Sequence, residues 1–385
     1  MLITKRVGLG SLAVAVLVGL SFVSATAFGG DTTEPAGPVG PKLVGQPTAI
    51  DVLPKKIELV GGRARQQILV TGLYATGQVR DLSRVVRVTS SNPDVVAVEG
   101  SVALPRSNGT ATLALRTGGQ EASIEVEVRG LETPALVSFK NEVIATLAKT
   151  GCSSGACHGS PSGKNGFRLS LWGHQPELDF ELLTHEFYGR RVDPMQPEKS
   201  LILRKPTMQV AHGGGRRLEK DAVLYDVLYK WIAEGRRSDL LGTATLEGIE
   251  VFPKRRILHK PAQDQQLLVL AHFSDGAVRD VTPLVTFSSS NESIATVSKE
   301  GVVQGQERGE VAVLLRYLNK LTTTRLMFLE DVPGFAWNNP PENNYVDTYV
   351  FNKLHQLQIL PSDVCTDEEF VRRAYLDAIG TLPTA

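Results

Sequence analysis

Cysteine is scarce in this sequence, with three in 385 residues, so a disulfide framework is not the main source of its stability. Net charge is absent as well: 41 basic residues balance 41 acidic ones, which excludes bulk electrostatic capture of nucleic acid or of an anionic membrane. After the first thirty residues no apolar run is long enough to span a bilayer. Gly-x-Ser-x-Gly, His-Glu-x-x-His and a convincing carboxylate pair are all missing, which leaves the common hydrolase chemistries with little support and makes an electron carrier or structural module the expectation ahead of an enzyme.

What is present is length and order. A chain of 385 residues with 42% hydrophobic and 21% charged residues suggests a globular protein of two to four domains. Residues 1–27 carry Lys5 and Arg6, an apolar run from Val7 to about Val23 and Ala25-Thr26-Ala27. This order reads as a secretory signal cut after Ala27, with an uncleaved membrane anchor as the alternative. The expectation is an exported protein, periplasmic, cell-surface or secreted, without a membrane span once the signal is cleaved. Residues 28–47 are rich in Gly and Pro and read as a linker.

An internal repeat follows. "IDVLPKKIEL" at 50–59 matches "IEVFPKRRIL" at 249–258, "QQILVTGLYATGQVRDLS" at 66–83 matches "QQLLVLAHFSDGAVRDVT" at 265–282, and "SSNPDVVAV" at 90–98 matches "SSNESIATV" at 289–297. One offset of 199 residues relates all three pairs, giving two copies of a domain at 48–129 and 247–330. Short alternating β-branched runs between turn signals predict an antiparallel sandwich. The order of strand, "DG" hairpin, "R-D-[LV]-[ST]" and "SSNxxxAxV" resembles the group 2 bacterial immunoglobulin-like (Ig-like) domain. That resemblance implies spacer or adhesion modules; the polar "SSN" segments read as turns and are assigned no chemistry, with a carbohydrate or cell-surface partner there as the alternative.

Between the copies, residues 135–237 change grammar. "SFKNEVIATLAKTG", "QPELDFELLTHEF" and "EKDAVLYDVLYKWIAEG" have helical spacing, predicting a mainly α-helical domain. The first helix leads to Cys152, Cys157 and His158 in "CSSGACHGSPSGKNGFRLSLWG". Cys-x-x-x-x-Cys-His is similar to the haem attachment motif of c-type cytochromes, although the usual spacing between the cysteines is two residues. A Cys152–Cys157 disulfide, a zinc site and chance juxtaposition are the alternatives.

The same stretch, followed by "SLILRKPTMQVAHGGGRRL" and "LYKWIAEG", resembles the cytochrome-c-like segment of large secreted planctomycete proteins, which also carry group 2 Ig-like domains. The resemblance implies covalent haem c, with iron ligated by His158 and on the other side by His212 or Met208, and electron transfer to a redox partner protein. His174, His185 and Met195 are weaker candidates; Arg216 and Arg217 would face haem propionates or solvent. Residues 338–385 predict two helices, and "DEEFVRRAYLDAIGTLPTA" is similar to the start of domain of unknown function 1549. The chain is thus expected to be a fragment of a longer protein, with Cys365 a leftover thiol. The expected fold is multidomain: two all-β Ig-like sandwiches flanking a mainly α cytochrome-c-like domain, then a short helical segment. The rival expectation is a structural or adhesive cell-surface or periplasmic protein, with Cys152–Cys157 a disulfide and no haem.

Overall fold

The computed structural model describes residues 44–134, 136–239 and 242–384. The expected signal at 1–27 and most of the linker lie outside the described residues. The architecture is predominantly β, built from six small sheets.

In the first repeat, Ala49–Leu53, Leu69–Leu73 and Val79–Asp81 form one antiparallel sheet. A second sheet orders Lys56–Val60, Gln120–Arg129, Gly109–Thr117 and Arg87–Ser90. A third joins Gln66–Gln67, Val102–Pro105 and Val96–Glu99. Alternation decides which face goes inward: Ile57 and Leu59 of Lys56–Val60, and Ile124, Val126 and Val128 of Gln120–Arg129, are buried while their neighbours face out. These side chains share one core with Ile68, Val70, Leu82, Leu113 and Leu115.

The second repeat copies this topology with Leu246–Phe252, Leu268–Phe273 and Val278–Asp280, then Arg255–His259, Lys320–Leu329, Gly309–Tyr317 and Thr286–Ser289, then Asp264–Gln266, Val302–Gly305 and Ala295–Val297. Lys56–Val60 pairs in parallel with residues 125–129, and Arg255–His259 pairs likewise with 325–329. The first strand of each pair is related by 199 positions and the second by 200, so one extra residue has been absorbed in the turn before Val302. Loops tolerate such an insertion because no ladder bond depends on their length.

The expectation of a mainly α-helical, cytochrome-c-like domain at 135–237 is overturned. Helix there is confined to Ile144–Lys149, Pro176–Thr184, Leu201–Arg204 and Val223–Ala233, of 6, 9, 4 and 11 residues. A π-helical turn, Phe139–Val143, precedes the first, and short 3-10 turns and loops fill the remainder. Glycines with positive φ at Gly151, Gly163, Gly166, Gly173 and Gly189 interrupt propagation. The segment folds around Phe139, whose ring lies 5.3 Å from Trp231 and 5.2 Å from Phe180, with Val143, Leu147, Leu183, Leu203 and Leu228.

Specific polar contacts fasten this segment to both repeats. Tyr317 Oη, buried in the second repeat, donates to the Asn141 carbonyl at 2.9 Å. Asn141 Nδ2 donates to the Ala244 carbonyl at 2.9 Å. Both terminal nitrogens of Arg63 in the first repeat grip the Glu142 carboxylate, at 2.8 and 2.7 Å. At the C-terminal end, Tyr345–Gln356 carries an Asn344–Asp347 capping box and Asp367–Ile379 is capped by Thr366. Neither helix buries a residue. The first is held to the second repeat by the Lys353–Glu310 ion pair and by Arg308 donating to the Gln358 carbonyl at 3.3 Å.

Candidate functional site

The cysteine–histidine stretch is a self-bonded loop. The His158 amide donates to the Cys152 carbonyl at 2.9 Å, closing the five intervening residues into a loop, and the Leu169 amide returns to the His158 carbonyl at 2.7 Å. Trp172 N donates to Ser153 O at 2.9 Å. Gly159 is demanded by this wrapping, because a Cβ there would sit 2.0 Å from the Ser153 carbonyl oxygen. The loop is pinned to Pro176–Thr184 by buried Asp179, which accepts from Ser170 N at 2.5 Å and from Ser170 Oγ at 2.6 Å.

The five predicted ligands are only partly brought together. Cys152 packs against the segment's core and its sulfur accepts from Thr150 Oγ1 at 3.3 Å. Burial pushes its thiol pKa up, and the nearby Cys157 adds to that, so it is a protonated thiol rather than a thiolate. Both cysteines, like Cys365, are free thiols. His158 Nδ1 lies 2.9 Å from the Phe167 carbonyl oxygen, and its ring packs on Phe167 with centroids 4.6 Å apart. Burial lowers its pKa, helped by His212, Arg191 and Lys205 and opposed by the Phe167 carbonyl. His212 Nδ1 is engaged with the Gly215 carbonyl oxygen at 2.8 Å. Met208 sits at φ 61° on the surface. His174 Nδ1 lies 3.3 Å from Leu171 O, His185 pairs with Glu181 at 2.9 Å, and Met195 is exposed. Arg216 pairs with Glu219 at 3.5 Å, and Arg217 donates to the Gly214 carbonyl at 2.8 Å.

Nothing in this arrangement supports a covalently attached haem. Cys152 is turned into the segment's core, and the two cavities described below are lined by none of Cys152, Cys157, His158, Met208 or His212. Among the described residues no group of three or more His, Cys, Asp or Glu could hold a metal ion. The cytochrome, haem-binding, metal-binding and electron-transfer expectations are corrected accordingly: the loop's geometry is that of a tight structural turn.

The residues that the sequence left without chemistry lie between the repeats. Asp81 and Asp280 end the "VRD" strands of the two copies. Asp81 Oδ2 accepts from the Gln266 amide of the second repeat at 2.5 Å, and Asp280 Oδ2 accepts from the Gln67 amide of the first at 2.6 Å. The other oxygen of each turns back into its own repeat, to Ser83 N and Thr282 N, both at 2.9 Å. The Ser83 and Thr282 hydroxyls in turn accept from Val70 N and Val269 N, again both at 2.9 Å. The joint is thus reciprocal, each copy giving the other the same carboxylate for the same backbone amide. Burial is the leading influence on both carboxyls and raises their pKa, against the hydrogen bonds and the neighbouring Arg256 and Arg65. Arg84 to Asp264 at 3.3 Å and Arg256 Nη2 to Thr71 Oγ1 at 3.2 Å complete the contact. The sequence shows "QQ" and "RD" at one offset in both copies, but nothing local in it marks the contact between them.

A cleft of about 2020 Å³ opens beside this joint, where the two repeats meet the intervening segment. Its walls include Lys56–Val60 residues of the first repeat, Arg279 and Asp280 of the second, and Tyr225 and Tyr229 of Val223–Ala233. A smaller cavity of about 100 Å³ lies against Trp231 and Asp239.

Residues 247–315 match the family model of the bacterial Ig-like domain (group 2). No curated protein matches the chain. Among solved structures, domains 5–6 of the S-layer protein SbsC are 11% identical, with 74% of this chain and 97% of that one covered and a TM-score of 0.29. The adhesin InvE of Yersinia pseudotuberculosis is 10% identical, with 72% of this chain and 58% of that one covered and a TM-score of 0.16. These comparisons give no support to a planctomycete origin, a cytochrome-like segment or a start of domain 1549. The second repeat is thus similar to a bacterial Ig-like domain over residues 247–315, and the first repeat has the same strand order.

Proposed function

We propose that this is a structural or adhesive protein of the cell surface, in which two Ig-like modules are locked side by side and braced by the segment between them. The reciprocal Asp81–Gln266 and Asp280–Gln67 contact is the observation that carries the reading. Two modules joined through buried carboxylates behave as one stiff body rather than as beads on a linker, which suits a load-bearing or presenting role. The family match at 247–315 supports the same reading. Export through residues 1–27, with modules at 48–129, 135–237, 247–330 and 338–385, belongs to this proposal.

In an oxidising compartment Cys152 and Cys157 would join as a disulfide, each thiol giving up a hydrogen to an oxidised dithiol–disulfide exchange protein, which is reduced to its dithiol. The bond would fasten the loop without involving His158. The proposal is tested by protease shaving and surface biotinylation of intact cells producing the full chain. Labelling of Lys56 and Lys320 before lysis is expected; labelling only after lysis refutes the surface assignment.

A further inference from the structure

Lys56–Val60 is the end strand of its sheet, bonded to Gln120–Arg129 on one side only. Among the described residues no backbone hydrogen bond leaves its other side. Such an edge is a template for another strand, and proteins ordinarily blunt or cover it. Here Lys56, Ile57, Glu58 and Val60 line the large cleft instead. Its about 2020 Å³ exceeds what small-molecule sites usually enclose, about 300–1,000 Å³, and its walls carry both signs of charge, such as Arg65 and Lys220 with Asp221 and Asp275. A uniformly anionic or cationic polymer gains little from walls of mixed sign.

We infer that the cleft takes up an extended polypeptide that adds to the free edge of Lys56–Val60 as an antiparallel strand. Main-chain bonds supply the attraction and alternate side chains the selection. The outward side chains of the edge are Lys56, Glu58 and Val60, the last 51% exposed. Lys56 reaches Glu127 only at 3.8 Å and Glu58 meets Arg129 at 3.4 Å, both in solvent; such pairs are weak. The incoming strand therefore reads, from its N-terminus and at alternate positions, an apolar residue opposite Val60, a basic one opposite Glu58 and an acidic one opposite Lys56. The inference rests on the adhesive reading only in giving that surface its partner, and surface labelling of the cells is unaffected by its failure.

The test uses the full chain with the peptide Ac-Thr-Val-Thr-Lys-Thr-Glu-Thr-NH2 and its charge-swapped isomer, Ac-Thr-Val-Thr-Glu-Thr-Lys-Thr-NH2. The first is expected to bind about tenfold more tightly, since two opposite-charge pairs become like-charge pairs in the second, and to slow amide exchange at residues 56–60. The Lys56→Glu, Glu58→Lys double variant should reverse the preference. N-methylation of alternate residues distinguishes strand addition from other contacts: one of the two methylation patterns abolishes binding and the other leaves it, because alternate amides point to opposite edges. Equal affinity for the two isomers, equal response to the two methylation patterns, or no binding at millimolar peptide overturns the inference. So does protection of residues 56–60 by a neutral hexasaccharide, such as cellohexaose, in place of the peptide.

Discussion

Replacing Asp81 by Ala tests the joint between the repeats most directly. The carboxylate accepts from Gln266 N at 2.5 Å across the joint, and from Ser83 N at 2.9 Å and Ser83 Oγ at 2.5 Å within its own repeat. Bonds to a charged acceptor contribute about 1.5–3 kcal/mol each, and a stranded buried amide costs about 1–3 kcal/mol. Relief of burying the charge offsets part of the sum, leaving a loss of about 3 kcal/mol. Asp280→Ala should cost a similar amount, since it accepts from Gln67 N across the joint and from Thr282 N within its own repeat. The double variant should cost less than the sum, because a joint opened by the first change has little left for the second to break. Urea denaturation of the full chain, with exposed Asp94→Ala as control, measures all three. Single losses below about 1 kcal/mol, indistinguishable from the control, or strict additivity would refute a reciprocal lock. The pH dependence provides a second reading. Both carboxyls have folded pKa values raised above the usual 3.8, chiefly by burial, so the folded state takes up these protons first. Their contribution is greatest below that value and is lost as pH rises through the raised one; the Asp81→Asn, Asp280→Asn variant should lack this acid-side gain.

Three further outcomes follow from particular contacts. Lys149 Nζ donates to the Val285 and Lys299 carbonyls and lies 4.6 Å from the Phe287 ring centroid; burial brings its pKa down from 10.5 to about 7. Between those values the unfolded chain holds a proton that the folded one has released, so stability should climb with pH from about 7 towards 10.5. The climb is on the order of 5 kcal/mol, and thermal melts of Lys149→Met should lack it. Gly159→Ala places a methyl against Ser153 O and should cost about 3 kcal/mol or more, read by denaturation; a loss below that of an ordinary surface change would mean the loop is not wrapped as described. Oxidation of Cys152 to Cys157 should add about 2 kcal/mol by closing a short loop and appear in mass spectra as the loss of two hydrogens, absent in Cys157→Ser.

Much of the β architecture was legible in the chain itself. Alternation in Lys56–Val60 and Gln120–Arg129 dictates which side chains go inward, because successive residues of a strand face opposite ways. The constant offset between copies fixes one topology used twice, and Thr366, Asn344 and Gly380 mark helix ends through local bonds alone. Local spacing misled at 135–237, where apolar residues at helical intervals belong to short helices broken by glycine turns, and the Cys152–His158 pattern describes a wrapped loop. The partners of Asp81 and Asp280 are 185 and 213 residues away. No periodicity encodes a contact between an acid in one copy and a main-chain amide in the other, since every residue but proline carries such an amide. Only the packing of one repeat against its twin decides which amides lack a partner, and so which carboxylates must supply it.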